Sequence, residues 1–99
     1  MGKLTKQMKK DYTNVLKGHI AIATLIYPEG TRGSQLDAFA RKALWDNCLT
    51  YWQGTGHGIG HFLTVHEGPQ NIRLEENPTK LQIGMVTSNE PGVYRANQY

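Results

Sequence analysis

Five glycines and three of the chain's four histidines fall within sixteen residues, Gly54-Thr55-Gly56-His57-Gly58-Ile59-Gly60-His61-Phe62-Leu63-Thr64-Val65-His66-Glu67-Gly68-Pro69. No other stretch restricts the fold as much. Each glycine costs a helix up to ~1 kcal/mol relative to alanine, so this segment is not helical. Without a Cβ, glycine lets the backbone turn tightly and come close to a ligand. Imidazole is the commonest protein metal ligand and titrates near neutral pH. A backbone of this kind delivers imidazoles to one point in space, which a metal or acid–base site needs and an ordinary core does not.

The residues before this segment have a different period. From Lys3 to about Thr24, the apolar residues Leu4, Met8, Tyr12, Val15, Leu16, Ile20 and Ala23 recur at three- and four-residue steps. That is one stripe of an amphipathic helix, with the lysines opposite. Gly18 within it marks a close packing point or a small kink, and His19 reads as a helix residue with no special task. Pro28-Glu29-Gly30 is a turn. A second helix is expected to open at Ser34, with Asp37 completing an approximate capping box, and to stop around Asp46-Asn47. Its buried stripe is Leu36, Phe39, Ala40, Ala43 and Leu44, and Arg41 and Lys42 near its end suit the helix dipole.

Beyond the second helix the pattern turns extended. Leu49 and Tyr51, the run Phe62 to His66, and Leu81 to Thr87 are expected as strands, rich in Thr, Val and aromatic residues. Asn71 to Lys80 is polar, contains Pro78, and reads as a surface loop or hairpin. Ser88-Asn89-Glu90-Pro91-Gly92 is a turn carrying a carboxylate. Two helices followed by several strands make an α+β arrangement, two helices packed on an antiparallel-rich sheet.

Composition excludes several classes. The 99 residues allow one domain at most, and a net charge of +3 is too weak a bias to imply nucleic acid. The N-terminal lysines read as a solvated helix face, away from most aromatic residues. One cysteine, Cys48, permits no internal disulfide and fits a reducing compartment, so a cytoplasmic location is expected. No apolar run is long enough to span a bilayer. Met1-Gly2 begins like a myristoylation site, but Lys6 stands where Ser or Thr is wanted. No membrane association follows.

On residue chemistry alone, His57, His61, His66 and Glu90 are all candidate metal ligands. His57 and His61 share parity on an extended chain and can point the same way. One imidazole with carboxylates suits Mn²⁺, Fe²⁺, Co²⁺ or Zn²⁺. There is no thiolate pair for structural zinc.

Gly54-Thr55-Gly56-His57-Gly58-Ile59-Gly60, Val65-His66-Glu67-Gly68-Pro69 and Gly84-Met85-Val86-Thr87-Ser88-Asn89-Glu90-Pro91-Gly92 together resemble the aminopeptidase P (Xaa-Pro aminopeptidase) branch of the pita-bread metallopeptidases. The helical stretches Val15-Leu16-Lys17-Gly18-His19-Ile20-Ala21 and Leu36 to Asp46 are similar too, so the resemblance covers nearly the whole chain. Methionine aminopeptidases and prolidases share that fold, but their corresponding histidines usually lie closer together than His57 and His66. The resemblance implies part of a pita-bread domain and a bond cleaved between an N-terminal residue and a following proline. Its substrates are peptides with proline in the second position.

It further implies two divalent metal ions, manganese before zinc, cobalt or iron, held by two Asp, one His and two Glu. His57 matches the histidine ligand and Glu90 the first glutamate ligand. His66 matches the catalytic histidine that contacts the substrate and helps stabilise the tetrahedral intermediate, and His61 is left as a supporting residue. Two departures bear on activity. Where the family places a histidine four residues before its metal ligand, this chain has Gln53, which hydrogen-bonds but does not shuttle protons near neutral pH.

The paired Asp ligands are expected before Met1 and the last Glu just after Tyr99. Residues 1–99 are therefore expected to be a partial catalytic domain, weakly metal-bound or metal-free and inactive alone, that pairs with itself into a homo-oligomer. The rival expectation is a non-catalytic peptide- or protein-binding module on the same fold.

Overall fold

The structure is a computed structural model that describes residues 2–62 and 64–99. Helix α1 runs Lys6–Thr24, a little later than its apolar stripe suggests, because Thr5 caps it: its hydroxyl accepts the Met8 N–H at 3.1 Å. Helix α2 runs Gly33–Trp45. Its cap differs from expectation. Arg32 is the N-cap residue, and the Gln35 side chain accepts the Arg32 N–H at 2.8 Å. Ser34 instead donates to Glu76, and Asp37 turns into the interior. The helix closes where expected. Leu49 N–H reaches the Leu44 carbonyl and Cys48 N–H the Trp45 carbonyl, with Cys48 in the left-handed region at φ 56°. These are the paired bonds of a Schellman stop.

The two helices pack in backbone contact. A Cβ on Gly18 would sit 2.1 Å from the Ala40 carbonyl oxygen, so only glycine fits the crossing. This approach selects the small and polar side of α1. Asp11, Asn14 and Gly18 are buried, while Leu4, Tyr12, Leu16 and Ile20 of the expected core stripe are exposed. Asp11 is drawn inward by Arg95 and Tyr99, which hydrogen-bond its carboxylate. On α2, Leu36, Ala40 and Leu44 are buried as expected, but Phe39 is half exposed. Arg41 does not serve the helix end; it is buried and paired with Asp37. Lys42 does lie in the last turn, bridged to Asp46 at 2.7 Å.

Regular pairing among the described residues is limited to two short strands. β1, Gly56–His57, lies within the glycine-rich segment and pairs antiparallel with β2, Asn71–Ile72. The strand expected over Phe62 to His66 does not form: Phe62 and Thr64 to His66 are exposed coil, and Leu63 lies outside the described residues. The Leu81–Thr87 run is broken by Gly84 at φ 92°, and only Thr87 bridges to Gly58. Asn71 to Lys80 is largely exposed, but its first residues enter the sheet and Ile72 is buried. Leu36, Ala40, Leu44, Tyr51 and Ile72 form the apolar core, so the site segment lies directly on α2. The architecture is α+β.

Candidate metal centre

β1 is held on both edges. On one side it pairs with β2, and Thr55 N–H donates to the Ile72 carbonyl at 2.8 Å. On the other it meets the Thr87–Glu90 segment. His57 N–H donates to Ser88 Oγ at 3.0 Å, Ser88 N–H to the His57 carbonyl at 2.9 Å, and Glu90 N–H to the Thr55 carbonyl at 2.6 Å. Glycine makes this closeness attainable. A Cβ at Gly56 would lie 2.1 Å from the Ser88 carbonyl oxygen.

The ladder brings His57 and Glu90 together. His57 Nε2 lies 2.7 Å from Glu90 Oε1. The other ring nitrogen, Nδ1, lies 2.8 Å from the Gly58 carbonyl oxygen, which only accepts, so Nδ1 carries a hydrogen. Both imidazole nitrogens thus face oxygen acceptors, and a proton or a metal cation at Nε2 satisfies the second. Committing one ring nitrogen to a backbone carbonyl while the other is left for the cation is how proteins orient imidazole ligands. A hydrogen bond with Ser88 is the largest cause holding the Glu90 carboxyl below its ordinary range, opposed by burial and helped by His57. The donor pair fits a divalent cation that accepts nitrogen and oxygen ligands.

His66 joins the pair. Its ring centroid is 4.1 Å from that of His57, with the planes tilted by 44°. His66 and His61 are both exposed. Gln53 is exposed and donates to Tyr94 Oη at 2.9 Å. Among the described residues, no three His, Cys, Asp or Glu side chains converge on one point, so His57 and Glu90 supply a pair of donors.

Some residues here carry no chemical signature in sequence. Ser88 bonds twice to the His57 backbone, its Oγ accepting the His57 N–H and its N–H donating to the His57 carbonyl. Gln70, buried, donates to the Val86 carbonyl at 3.1 Å and spaces the two flanking segments. His19, expected to be idle, is not. Its Nδ1 lies 3.2 Å from the Asn89 carbonyl, and Asn89 Nδ2 donates to the His19 carbonyl at 2.9 Å, tying α1 to the residue before Glu90. The only forewarning is the polar Ser88-Asn89 step ahead of Glu90-Pro91-Gly92.

Residues 1–99 match the model of metallopeptidase family M24. The chain is 53% identical over 100 residues to a probable Xaa-Pro aminopeptidase P of Laccaria bicolor, covering 99% of this chain and 16% of that protein. It is 52% identical over 92 residues to aminopeptidase P2 of Arabidopsis thaliana, covering 92% of this chain and 13% of that one. Among solved structures it resembles the X-prolyl aminopeptidase of Caenorhabditis elegans, described as a cytosolic enzyme with a di-nuclear active site. There the TM-score is 0.86 at 43% identity, over 94% of this chain and 15% of that one. An Xaa-Pro dipeptidase from Bacillus anthracis matches with a TM-score of 0.83 at 29% identity, over 98% of this chain and 26% of that one.

The fold is thus that of the pita-bread metallopeptidases. The chain belongs to metallopeptidase family M24, and it spans 16% of the length of the first of these relatives.

Proposed function

We propose that this chain is a portion of the catalytic domain of an Xaa-Pro aminopeptidase, acting in the cytoplasm on peptides with proline in the second position. The observation that carries the reading is the 2.7 Å approach of His57 Nε2 to Glu90 Oε1, with Nδ1 committed to a backbone carbonyl. His57 and Glu90 would hold part of a two-metal centre, with manganese the first choice and zinc, cobalt or iron next. Bound there, divalent ions supply Lewis acidity and lower the pKa of water near neutral pH.

The protein's own residues supply the rest. The Gly58 carbonyl fixes the tautomer of His57, and Ser88 helps hold the Glu90 carboxyl below its ordinary range. His66, beside His57, donates a hydrogen bond to the substrate carbonyl as negative charge develops on its oxygen. Proline's ring lacks an N–H and fixes φ, so the bond before it suits a dedicated site. Gln53, tied to Tyr94, shapes the pocket and moves no proton. The described residues offer two donors, so the chain by itself is inactive, and the exposed apolar residues of α1 favour self-association.

The test is a graft. These residues replace the matching 15% of the C. elegans enzyme. The graft should release the first residue of an Xaa-Pro-Xaa peptide when supplied with Mn²⁺, and the isolated chain should not. A folded graft that releases nothing with Mn²⁺, Zn²⁺, Co²⁺ or Fe²⁺ contradicts the assignment. Hydrolysis by the isolated chain, lost in His57→Ala, contradicts the inactivity.

A further inference from the structure

Beneath the site lies a cluster of polar groups that the reading above does not use. Asp37, Arg41, Tyr51 and Thr55 are at most 2% exposed. The Arg41 guanidinium pairs with the Asp37 carboxylate through Nε and Nη2. It also donates from Nη1 to the Tyr51 carbonyl at 2.5 Å and from Nη2 to the Gln53 carbonyl at 3.0 Å. Its Cζ sits 3.9 Å from the centroid of the Tyr51 ring. Thr55 Oγ1 donates to Asp37 Oδ1 at 2.6 Å, which leaves the Tyr51 hydroxyl to donate to Thr55 Oγ1 at 2.5 Å. One turn of α2 therefore fixes two carbonyls and a hydroxyl within five residues of chain.

The last of those residues, Thr55, is the junction. Its side chain is tied to α2, its N–H to β2 through the Ile72 carbonyl, and its carbonyl to the Glu90 N–H at 2.6 Å. His57 follows two residues later, in β1. We propose that Asp37, Arg41 and Thr55 are positioning residues that set the separation of His57 from Glu90. The proposal rests on reading that pair as metal ligands. A buried ion pair is an inefficient source of stability, because desolvation offsets most of its attraction. A planar fork that spends its donors on two carbonyls and a carboxylate fixes direction as well as distance. The glycines on either side of Thr55 fix neither, so the segment that carries His57 takes part of its geometry from the helix.

The test reads position without any metal. In the 99-residue chain, native-state amide hydrogen exchange is followed at Ser88 and Glu90, whose N–H groups bond to the His57 and Thr55 carbonyls, and at the central amides of α1. Thr55→Val removes the hydroxyl, and Arg41→Lys keeps the charge but loses the fork. Either should speed exchange at Ser88 and Glu90 by about tenfold to a hundredfold, the worth of a hydrogen bond to a charged group, and leave the α1 amides unchanged. Thr55→Ser should restore the original protection.

Equal acceleration in α1, or no change at Glu90, overturns the proposal. So does failure of both Thr55→Val and Arg41→Lys to fold, since the cluster would then serve stability alone. Absence of metal binding at His57 and Glu90 would sink the functional reading and leave this result standing.

Discussion

The segments 51–58 and 60–68 are neighbours in sequence, both rich in glycine and both bearing histidine, yet they are built differently. The first is fixed on three sides: α2 below, β2 on one edge and Thr87–Glu90 on the other. Within it Tyr51, Thr55, Gly56 and Gly58 are buried. The described residues of the second are mostly exposed, and their backbone bonds are Gly60 N–H to the Thr64 carbonyl and Glu67 N–H to the Gly58 carbonyl. His57 belongs to the first and His66 to the second. A metal ligand needs a fixed direction, supplied by partners behind it. A group that meets a substrate must stay open to it. The two histidines touch, but only one of them is framed.

The largest expected effect comes from filling the space that the first segment lacks. Gly56→Ala puts a Cβ 2.1 Å from the Ser88 carbonyl, where backbone must move, and should cost ~3 kcal/mol or more. Gly68→Ala, with nothing within 4 Å of the added carbon, should stay within about 0.5 kcal/mol. Urea unfolding of the two variants measures the difference, and equal costs would erase the contrast between the segments.

A smaller effect lies outside both. Arg95 above all, with Tyr99 and Gln7, holds the Asp11 carboxyl well below its ordinary value of 3.8. A carboxyl whose folded pKa is depressed contributes stability above its unfolded value and loses it as pH falls toward the folded one. The melting temperature should therefore decline as pH drops below about 4, and decline less in Asp11→Asn. Amide protection in 51–58 should still exceed that in 60–68 throughout the decline. Loss of protection in 51–58 ahead of global melting would make its frame depend on the α1 end of the molecule.

Part of the fold was readable from sequence, because periodicity and glycine content report it directly, but this contrast was not: a strand was expected over Phe62 to His66. The steps of Leu36, Ala40 and Leu44 gave α2, and the glycines around His57 gave a non-helical site segment. Pairing of His57 with Glu90 followed from motif resemblance, not from spacing. Other features were hidden for physical reasons. Asp37 and Arg41 sit four apart on a helix, a spacing that also describes a solvated surface pair. Nothing local says that this pair turns inward to grip a loop. The apolar stripe of α1 misled for the converse reason. Gly18 lets the Ala40 backbone approach, and the helix packs on its small and polar side. The Leu81–Thr87 run has strand-forming residues, but Gly84 at positive φ breaks it.

The most direct test measures metal content beside rate in the grafted enzyme for two variants. His57→Ala should lose bound metal and activity together. His66→Ala should keep its metal and lose ~10²–10³-fold in kcat, the usual cost of one donor to a developing oxyanion. If His66→Ala instead empties the site while His57→Ala leaves it filled, the framed histidine is not the ligand, and the assignment of roles within the glycine-rich segment is wrong.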